Sequence, residues 1–379
     1  MRQAMTARMT KVLERRLKQA GLFLLRLVAR PPGAPPTAAD LERVSRILVV
    51  RPDERIGNAV LLTPLLVALK GRFSRAELVC LISRRYWDLH PHLPSADEFM
   101  AFEKKRTIRN PFTLWRSLRN LRARRFDLVF DAAGDHEVSF THLLLTALSG
   151  GRFRIGHARV GVAGFYEVAV PVPAAPRHAA EMHLDLLRAV TPIRSHPCPM
   201  LRPRPDSGFA ERFRRDAGWD SSRPVVVIHP GARGRKRWAP EDWVAVAQAL
   251  HTGDNMHVAM VWGPADTETA AAVMQSGYVR AAGILPFADL LSLVRSASAF
   301  VAADSGPMQL VAAAGVPVVA IFLSSDPVRY RPLGPRHVVL DGRAAPVTPA
   351  MVTEAIRTVI ASEPDTAARV VTTPTEGST

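Results

Sequence analysis

Short apolar runs alternate with helical patterns along most of the chain. Arg46–Arg51 and Leu78–Ile82 are rich in aliphatic and β-branched residues, which predicts buried parallel strands, and Ala59–Lys70 between them predicts a helix. A basic helix, Trp115–Arg125, leads into another predicted strand, Leu128–Asp131. Strands that alternate with helices in this way predict an α/β fold built on doubly wound parallel sheets.

A second series of the same kind follows after residue 200. Its predicted strands are Val225–His229, Val258–Trp262, Ala299–Ala303 and Val318–Phe322, with Val318–Phe322 closing the sheet. Its predicted helices are Trp243–His251, Asp266–Gln275, Leu290–Ser296 and Pro307–Ala314. The chain therefore predicts two Rossmann-like domains facing a cleft, with ligands at the carboxyl ends of the strands.

Proline-rich stretches mark the expected domain boundaries. Pro31–Pro36 predicts a stiff linker, and Pro192–Pro205 lacks hydrophobic periodicity. We expect a basic amphipathic segment and linker over 1–36, one Rossmann-like domain over 37–200 and a second over 201–345. Residues 346–379 are expected to form a C-terminal helix and a disordered, Thr-rich tail.

Charge separates the two halves of the chain. The 379 residues carry a net charge of +16, and residues 1–200 hold 32 basic against 17 acidic side chains, whereas the remainder is close to neutral. The excess of positive charge in residues 1–200 suits binding to nucleic acid, anionic lipid or a phosphorylated substrate. No zinc-finger or RNP motif is present, so we expect no nucleic-acid partner. Two cysteines are too few for a disulfide scaffold and suit a reducing cytoplasm.

The N-terminal segment combines positive charge with an amphipathic pattern. Eight cations up to Arg30 oppose one acid, Glu14, and the apolar stretch Ala20–Ala29 is interrupted by Arg26. The stretch is too short to cross a bilayer, since a spanning helix needs about 20 apolar residues. It predicts a basic amphipathic helix on an anionic membrane surface, and the alternative is a solvated extension.

Two turns of similar design indicate an anion site in the second half. Asp304–Pro307 joins a strand to a helix whose free N–H groups favour phosphate, and the loop His229–Trp238 contains two glycines and four cations. Each alone is explained by a capped helix or a solvated loop. Together they favour a nucleotide diphosphate, although neither matches a dehydrogenase glycine motif or a Walker loop.

A third segment, Gly263–Glu268, also lies between a strand and a helix. Glu268 is a candidate acceptor for ribose hydroxyls. The alternative is that Asp266 caps the helix and Glu268 only favours its first turn.

Four segments, taken together and in order, resemble glycosyltransferase family 9, the lipopolysaccharide heptosyltransferases and their relatives, over residues 46 to 345. They are Arg51–Leu66, His229–Trp243, Gly263–Glu268 and Asp304–Pro317. The resemblance implies a GT-B fold in which the first domain takes the acceptor and the second takes a nucleotide sugar, often ADP-heptose. It also implies transfer with inversion at the anomeric carbon, without a metal or another cofactor.

The resemblance assigns roles to individual positions. Lys236 matches the lysine that neutralises the departing diphosphate, an electrostatic role suited to an ammonium group. The other matching positions are Gly231, Asp304, Ser305 and Gly306 on the donor loops, Glu268 beside the ribose, and Gly57 with Arg55 on the acceptor side.

Two positions depart from the family pattern. Characterised heptosyltransferases carry an Asp after the glycine of the first turn as the proposed base, and this chain has Asn58. An amide can orient a hydroxyl but cannot take its proton. The family usually has His where this chain has Gln309, which can hydrogen-bond phosphate but carries no charge.

These departures leave three interpretations open. Another carboxylate acts as the base, the proton leaves late to solvent or phosphate, or transferase activity has been lost. The candidate carboxylates are Asp53, Glu54, Asp131 and Asp135. We favour an active enzyme with Asp53 as the base, and the alternative for Asp53 is that it caps the turn or pairs with Arg51 or Arg55.

The leading hypothesis is a cytoplasmic glycosyltransferase on the inner face of the cytoplasmic membrane that moves a sugar, a heptose from ADP-heptose, onto a lipopolysaccharide core or related glycan. Its expected partners are an ADP-linked sugar, an anionic glycolipid acceptor and the membrane surface. A catalytically silent GT-B nucleotide-sugar-binding protein and a nucleotide-sugar epimerase are the alternatives. The histidines and carboxylates of His178–Leu187 are interpreted as a helix and its cap, and no metal is predicted.

Overall fold

Two parallel sheets, one from each half of the chain, form the core of the protein. The computed structural model describes residues 19–134, 139–194, 196–334, 336–362 and 369–372. All strand pairs in both sheets are parallel, and helices connect them. The α/β class and the arrangement of two Rossmann-like units are therefore confirmed.

The first sheet has the strand order β3-β2-β1-β4-β5-β6. Its strands are β1 Arg46–Arg51, β2 Glu77–Ser83, β3 Glu98–Phe102, β4 Leu128–Asp131, β5 Phe153–His157 and β6 Val168–Val170. The helices of this half are α1 at 19–28, α2 Ala38–Glu42, α3 Ile56–Leu61, α4 Thr63–Arg72, α5 Lys104–Arg109, α6 Pro111–Ala123, α7 Phe140–Leu148 and α8 Ala179–Arg188.

The second sheet has the order β13-β12-β11-β10-β7-β8-β9, which repeats the topology of the first with one more strand. Its strands are β7 Val225–His229, β8 His257–Val261, β9 Arg280–Gly283, β10 Ala299–Ala303, β11 Val318–Phe322, β12 His337–Asp341 and β13 Arg369–Thr372. The helices of this half are α9 Phe209–Asp216, α10 Pro240–Gln248, α11 Thr267–Met274, α12 Phe287–Arg295, α13 Gly306–Ala313, α14 Pro327–Tyr330 and α15 Pro349–Ala361.

The central strands explain why the apolar runs are continuous. Val49 of β1 lies opposite Cys80 of β2 and Phe130 of β4, and all three side chains are buried. A strand with neighbours on both sides and helices on both faces has no solvent side, so polar alternation disappears. In each sheet the order reverses next to a central strand, between β1 and β4 and between β7 and β10. These two switch points are where open α/β sheets bind ligands.

The segment between the sheets packs against both halves. Met200 N–H donates to Thr63 Oγ1 (3.0 Å), Leu201 N–H donates to Ala313 O (3.1 Å) and Arg202 N–H donates to His92 O (2.7 Å). These hydrogen bonds tie α4 and α13 to one extended stretch. The carboxyl edges of the two sheets are thereby held across a common cleft.

Several predicted boundaries are corrected by the structure. Gly57 and Asn58 were expected in a turn before a helix at Ala59, but they lie in the first turn of α3, and Leu62 separates α3 from α4. The second sheet does not close at Val318–Phe322, because β12 and β13 continue it. Residues 369–372 form a strand where a disordered tail was expected, and α15 packs on the second core through Val352 and Ile356.

Helix α1 covers part of the predicted amphipathic segment. Leu25 is buried against Leu143 and Phe165, whereas Phe23, Leu24, Leu27 and Val28 are 61–68% exposed. The predicted cations before residue 19 lie outside the described residues. Within the described part of the chain, no helix is both long and apolar enough to cross a membrane.

Candidate active site

The switch point of the second sheet brings both predicted anion-binding turns together. β7 and β10 are neighbours, so the loop after His229 and the turn at Asp304 leave the same sheet edge. Lys236 Nζ forms an ion pair with Asp304 Oδ2, and Ser325 Oγ donates a hydrogen bond of 2.5 Å to the same oxygen. The Asp304 side chain is 8% exposed, whereas that of Lys236 is 35% exposed. The carboxylate is thus fixed, and the ammonium group remains accessible from the cleft.

Helix α13 begins beside this ion pair. Ser305 has an extended backbone and its Oγ accepts a hydrogen bond from Met308 N–H (3.4 Å), as expected for an N-cap. Pro307 follows in the first turn, where its missing N–H leaves no unpaired donor. Because Ser305 directly follows Asp304, the positive end of this eight-residue helix begins beside the ion pair with Lys236.

Gly231 is required by close packing between two loops. A Cβ atom at this position would overlap the Asp266 carboxylate and lie 2.7 Å from the His229 ring. Asp266 precedes α11 but makes no side-chain capping bond, and Glu268 is exposed in the first turn of that helix. Burial lowers the pKa of His229, although the charge of Asp266 opposes this. The His229 imidazole is therefore neutral near pH 7.

On the opposite side of the cleft, Asp53 organises the segment before α3. Its Oδ2 pairs with Arg51 Nε (2.8 Å), and its Oδ1 accepts hydrogen bonds from Arg55 N–H (3.1 Å) and Asn58 Nδ2 (2.9 Å). Asp53 therefore makes the structural contacts that were given as the alternative to a catalytic role. It stabilises the turn and pairs with Arg51. Because the amide nitrogen of Asn58 faces Asp53, its amide oxygen faces away from the carboxylate.

The two edges meet where α3 faces α13. A Cβ atom on Gly57 would lie 3.3 Å from Gln309 Cγ, and one on Gly306 would overlap the Ile56 side chain. Two glycines therefore allow the helix starts to approach each other. Gln309 is buried and its Nε2 donates to Tyr330 O (2.5 Å), which anchors α13 to α14.

Asp131, one of the candidate bases, is sealed inside the first switch point. It is 1% exposed, accepts a hydrogen bond from Tyr166 Oη (2.6 Å) and lies 3.3 Å from His142 Nδ1, with Arg159 3.8 Å away. Burial raises the pKa of Asp131, but His142, Arg159 and Tyr166 outweigh it and lower the pKa to about 2. A carboxylate in this setting stabilises the fold and has no path to an acceptor hydroxyl. Asp135 lies outside the described residues.

His183 lies next to this cluster and is buried. The sequence did not identify it as part of a polar core. His183 of α8 is 2% exposed, and neither ring nitrogen has a hydrogen-bond partner in the part of the chain described. Burial, with the nearby positive charge of Arg51 and neighbouring histidines, holds the pKa of His183 far below its usual value. The sequence does show a histidine on the apolar face of a helix, which could have indicated its burial. Its proximity to the other buried polar residues depends on tertiary contacts and could not be predicted.

The helix at His178–Leu187 carries a cap. His178 Nδ1 accepts from Ala180 N–H (3.3 Å), and its Nε2 contacts Arg331 O (2.9 Å) in the other half. Burial lowers the pKa of His178 to about 4, which keeps the ring neutral. Among residues 19–134, 139–194, 196–334, 336–362 and 369–372, no group of three or more His, Cys, Asp or Glu side chains is arranged to hold a metal ion.

The sequence model of glycosyltransferase family 9 (heptosyltransferase) matches residues 114–356. Among curated proteins, lipopolysaccharide heptosyltransferase 3 of Escherichia coli is 26% identical over 293 residues, covering 73% of this chain and 83% of that protein. The family match includes both anion-binding turns of the second sheet and begins after the segment that leads into α3.

Two solved structures have the same fold. A family 9 glycosyl transferase from Veillonella parvula superposes with a TM-score of 0.71 at 20% identity, covering 83% of this chain and 97% of that one. The Escherichia coli heptosyltransferase WaaC with ADP gives a TM-score of 0.65 at 20% identity, covering 83% and 99%. These superpositions confirm the GT-B architecture.

Proposed function

The chain belongs to glycosyltransferase family 9, and we propose that it moves a heptose from ADP-heptose onto a lipopolysaccharide core or a related surface glycan, with inversion and without a metal. The names of the relatives support the sugar and the acceptor class. The observation that carries the proposal is the fixed ion pair of Lys236 with Asp304 beside the capped start of α13, at the second switch point.

On the donor side, the diphosphate would lie between Lys236 and the N-terminal turn of α13. Asp304 holds the ammonium group in place before the donor arrives, so little reorganisation is needed as negative charge develops on the leaving group. Ser305, Gly306 and the close-packed Gly231 shape the backbone around it. Glu268 is exposed in the first turn of α11, where its carboxylate can accept from ribose hydroxyls.

On the acceptor side, we propose that Asn58 orients the attacking hydroxyl and that Asp53 receives its proton. Asp53 Oδ1 is 2.9 Å from the Asn58 amide nitrogen, and Asp53 Oδ2 is 2.8 Å from Arg51 Nε. Proton transfer to this carboxylate would come late, after the bond to the leaving group has largely broken. Gly57 and Arg55 flank this position at the cleft.

The experiment combines donor and acceptor assays with a matched lysine pair. Purified protein is incubated with a panel of nucleotide sugars and deacylated core acceptors, and Lys236→Ala is compared with Lys70→Ala. Lys70 is similarly exposed (31%) and also pairs with an aspartate, Asp97 at 2.7 Å, but it lies beside the start of β2, at the amino end of the strands. We expect Lys236→Ala to lower kcat by about 10²–10³-fold and Lys70→Ala to leave it unchanged. Absence of transfer and of donor hydrolysis with every pair would contradict the proposal.

A second function is favoured by one specific observation. Asn58 and Gln309 stand where the family resemblance implies titratable groups, and both amides are held by structural hydrogen bonds to Asp53 and Tyr330. A catalytically silent nucleotide-sugar-binding protein would have these features. It predicts that calorimetry detects ADP-heptose binding while no product forms with any acceptor, and that Asn58→Asp raises activity.

We also propose that α1 places the enzyme on the inner face of the cytoplasmic membrane. One face of α1 is fixed, since Arg26 Nη2 donates to Gly161 O (3.1 Å), and Arg30, two residues after the helix, pairs through Nη2 with Glu167 (2.7 Å). The other face presents Phe23, Leu24, Leu27 and Val28. An apolar helix face combined with a basic N-terminal segment suits an anionic lipid surface.

Vesicle flotation tests this location. The full chain should float with vesicles containing anionic lipid, and Leu24→Glu with Leu27→Glu should abolish flotation, while high salt weakens it. Ile284→Glu is the control, because Ile284 is 53% exposed on the second half. Equal flotation of all variants, or flotation with neutral vesicles alone, would refute the location.

A further inference from the structure

One short segment after β11 contacts both members of the ion pair between Lys236 and Asp304. Ser325 Oγ donates a hydrogen bond of 2.5 Å to Asp304 Oδ2. At the far end of α14, Lys236 Nζ lies over the ring of Tyr330, 6.0 Å from its centroid. The lysine belongs to the loop after β7 and the aspartate to the turn after β10, so the pair is supported from the end of a third strand, β11.

Other elements of the fold hold this segment in place. The Asp326 side chain caps the start of α14. Gln309 Nε2 donates to Tyr330 O (2.5 Å) from α13, and His178 Nε2 contacts Arg331 O (2.9 Å) from the first half of the chain. Two successive carbonyl groups are therefore bound by two different helices or their caps. The backbone that carries the Tyr330 ring is thus fixed by contacts that do not involve the lysine.

Lys236 needs such support because a lysine side chain is flexible. Its stem loses rotamer freedom when the ammonium group is held in one position. The side chain is 35% exposed, and Asp304 pairs with its terminal nitrogen. The face of an aromatic ring attracts an ammonium group, and this attraction is stronger where water is partly excluded. Asp304 and Tyr330 therefore restrict the ammonium group through two separate contacts.

We propose that Ser325 and Tyr330 are positioning residues for the donor site. Ser325 orients Asp304. The carboxylate and the Tyr330 ring then hold the Lys236 ammonium group where the diphosphate would bind. Gln309, which stands where the family resemblance implies a histidine, contributes through the Tyr330 carbonyl, because its amide nitrogen is bound there. This inference rests on the proposed transferase function, in which Lys236 neutralises the leaving group.

The first test uses no ligand. The chain has six lysines, so ¹³C-dimethylation of the lysine amines gives few NMR signals, and the Lys236 signal is the one that Lys236→Ala removes. An aromatic ring shifts a methyl group above its face upfield, so we expect Tyr330→Leu to move the Lys236 signal downfield and Tyr330→Phe to retain its position. The Lys70 signal is the internal control, because Lys70 pairs with Asp97 at the amino end of the strands. A Lys236 signal that Tyr330→Leu does not move overturns the inference.

Calorimetry with ADP tests whether the two residues act through Lys236. Tyr330→Leu should weaken ADP binding about three- to tenfold, as expected for the loss of one contact between a cation and a ring, and Tyr330→Phe should bind ADP like the wild type. Ser325→Ala should also weaken binding, and Ser325→Thr, which keeps the hydroxyl, should restore it. In the Lys236→Ala background, Tyr330→Leu and Ser325→Ala should each change the affinity by less than about twofold. Full additivity overturns the inference, since the two residues would then act on ADP without the lysine.

Turnover gives a further measurement. With ADP-heptose and a deacylated core acceptor, Tyr330→Leu should lower kcat while the acceptor KM stays within about twofold of the wild type. Tyr278→Leu is the matched control, because Tyr278 is also half-buried in the second half but precedes β9, at the amino edge of the sheet. A raised acceptor KM with unchanged kcat, or an equal loss in Tyr278→Leu, contradicts a positioning role.

The outcomes separate this inference from the proposed reaction. If no transfer occurs with any acceptor, but Tyr330→Leu moves the Lys236 signal and weakens ADP binding only where Lys236 is present, the positioning role stands and the proposed reaction fails. If transfer occurs and neither the signal nor ADP binding responds to Tyr330→Leu, the reaction stands and the positioning role is refuted.

Discussion

The two switch points have the same topology, but their carboxylates differ in the exposure of the groups that pair with them. Between β1 and β4, Asp131 is buried under Tyr166 and His142. Between β7 and β10, Asp304 is also largely buried, but its partner Lys236 remains accessible from the cleft. The first edge is sealed by its own side chains, and the second leaves a charge available for a ligand. The strand order thus determines where a ligand site can lie. The exposure of the paired charges determines whether a ligand can reach it.

The sealed edge still contributes to the cleft indirectly. Arg51 at the end of β1 is 5% exposed and extends outward to Asp53, which in turn holds Asn58. The first edge therefore presents its polar side chains one layer above the sheet, on the segment that leads into α3. The second edge presents them at the strand ends themselves.

We expect the largest effect on stability when the buried carboxylate of the first switch point is removed. Asp131→Ala leaves His142, Arg159 and Tyr166 in a buried site without the carboxylate that satisfies them, so we expect the free energy of unfolding to fall by about 3–5 kcal/mol. Denaturant unfolding measures this. Because the pKa of Asp131 is about 2 in the folded chain and 3.8 is its ordinary value, its contribution is complete above pH 4 and is lost as the pH falls toward 2.

Lys236→Ala is the counterpart at the other edge. It should lower kcat and also reduce the free energy of unfolding by about 1–3 kcal/mol, because Asp304 is largely buried and loses its cationic partner while it keeps the hydrogen bond from Ser325. If Asp131→Ala were as stable as the wild type, the sealed and open edges would not differ in the way described.

The next prediction concerns the close contact between the starts of α3 and α13. Gly306→Ala places a methyl group against Ile56 across the cleft, and overpacking of this kind costs up to about 3 kcal/mol. Ile56→Ala removes the opposing side chain, so Gly306→Ala should cost much less in that background. A double-mutant cycle by thermal or denaturant unfolding measures the coupling, and purely additive effects would show that the helices do not press on each other at this point.

How far the sequence predicts this structure depends on the range of the contacts. Buried strands such as Val225–His229 were predicted to the residue, because their apolar runs are local. β9, with Arg280 and little apolar surface, and β13 were missed because they are recognisable mainly by their pairing with neighbours. For the site, the Ser305 cap follows from local turn chemistry, whereas the pairing of Lys236 with Asp304 joins residues 68 positions apart.

His178 couples the halves and should make their stability sensitive to acid. The pKa of His178 is about 4 in the folded chain against 6.5 ordinarily, so the unfolded chain binds the proton first. Its contribution is complete above pH 6.5 and declines as the pH falls toward 4, by about 2 kcal/mol between pH 6.5 and 5. His178→Asn retains a capping residue without a titrating ring and should reduce the pH dependence of unfolding over this range, while the buried His337, whose pKa is also lowered to about 4, continues to contribute. An unchanged slope would exclude His178 as the source.

The smallest effect compares the serines that precede α13 and α7, the helices that follow β10 and β4. Ser305 caps α13 through its bond with Met308 N–H, whereas Ser139 makes no side-chain cap on α7. Ser305→Ala should therefore lower the free energy of unfolding by about 1 kcal/mol, and Ser139→Ala should change it by much less. Calorimetry with ADP adds a second measurement, since only the α13 turn is proposed to bind the diphosphate. Weaker ADP binding in Ser305→Ala alone would tie the cap to the donor site, and equal losses in both variants would remove the distinction between the two edges.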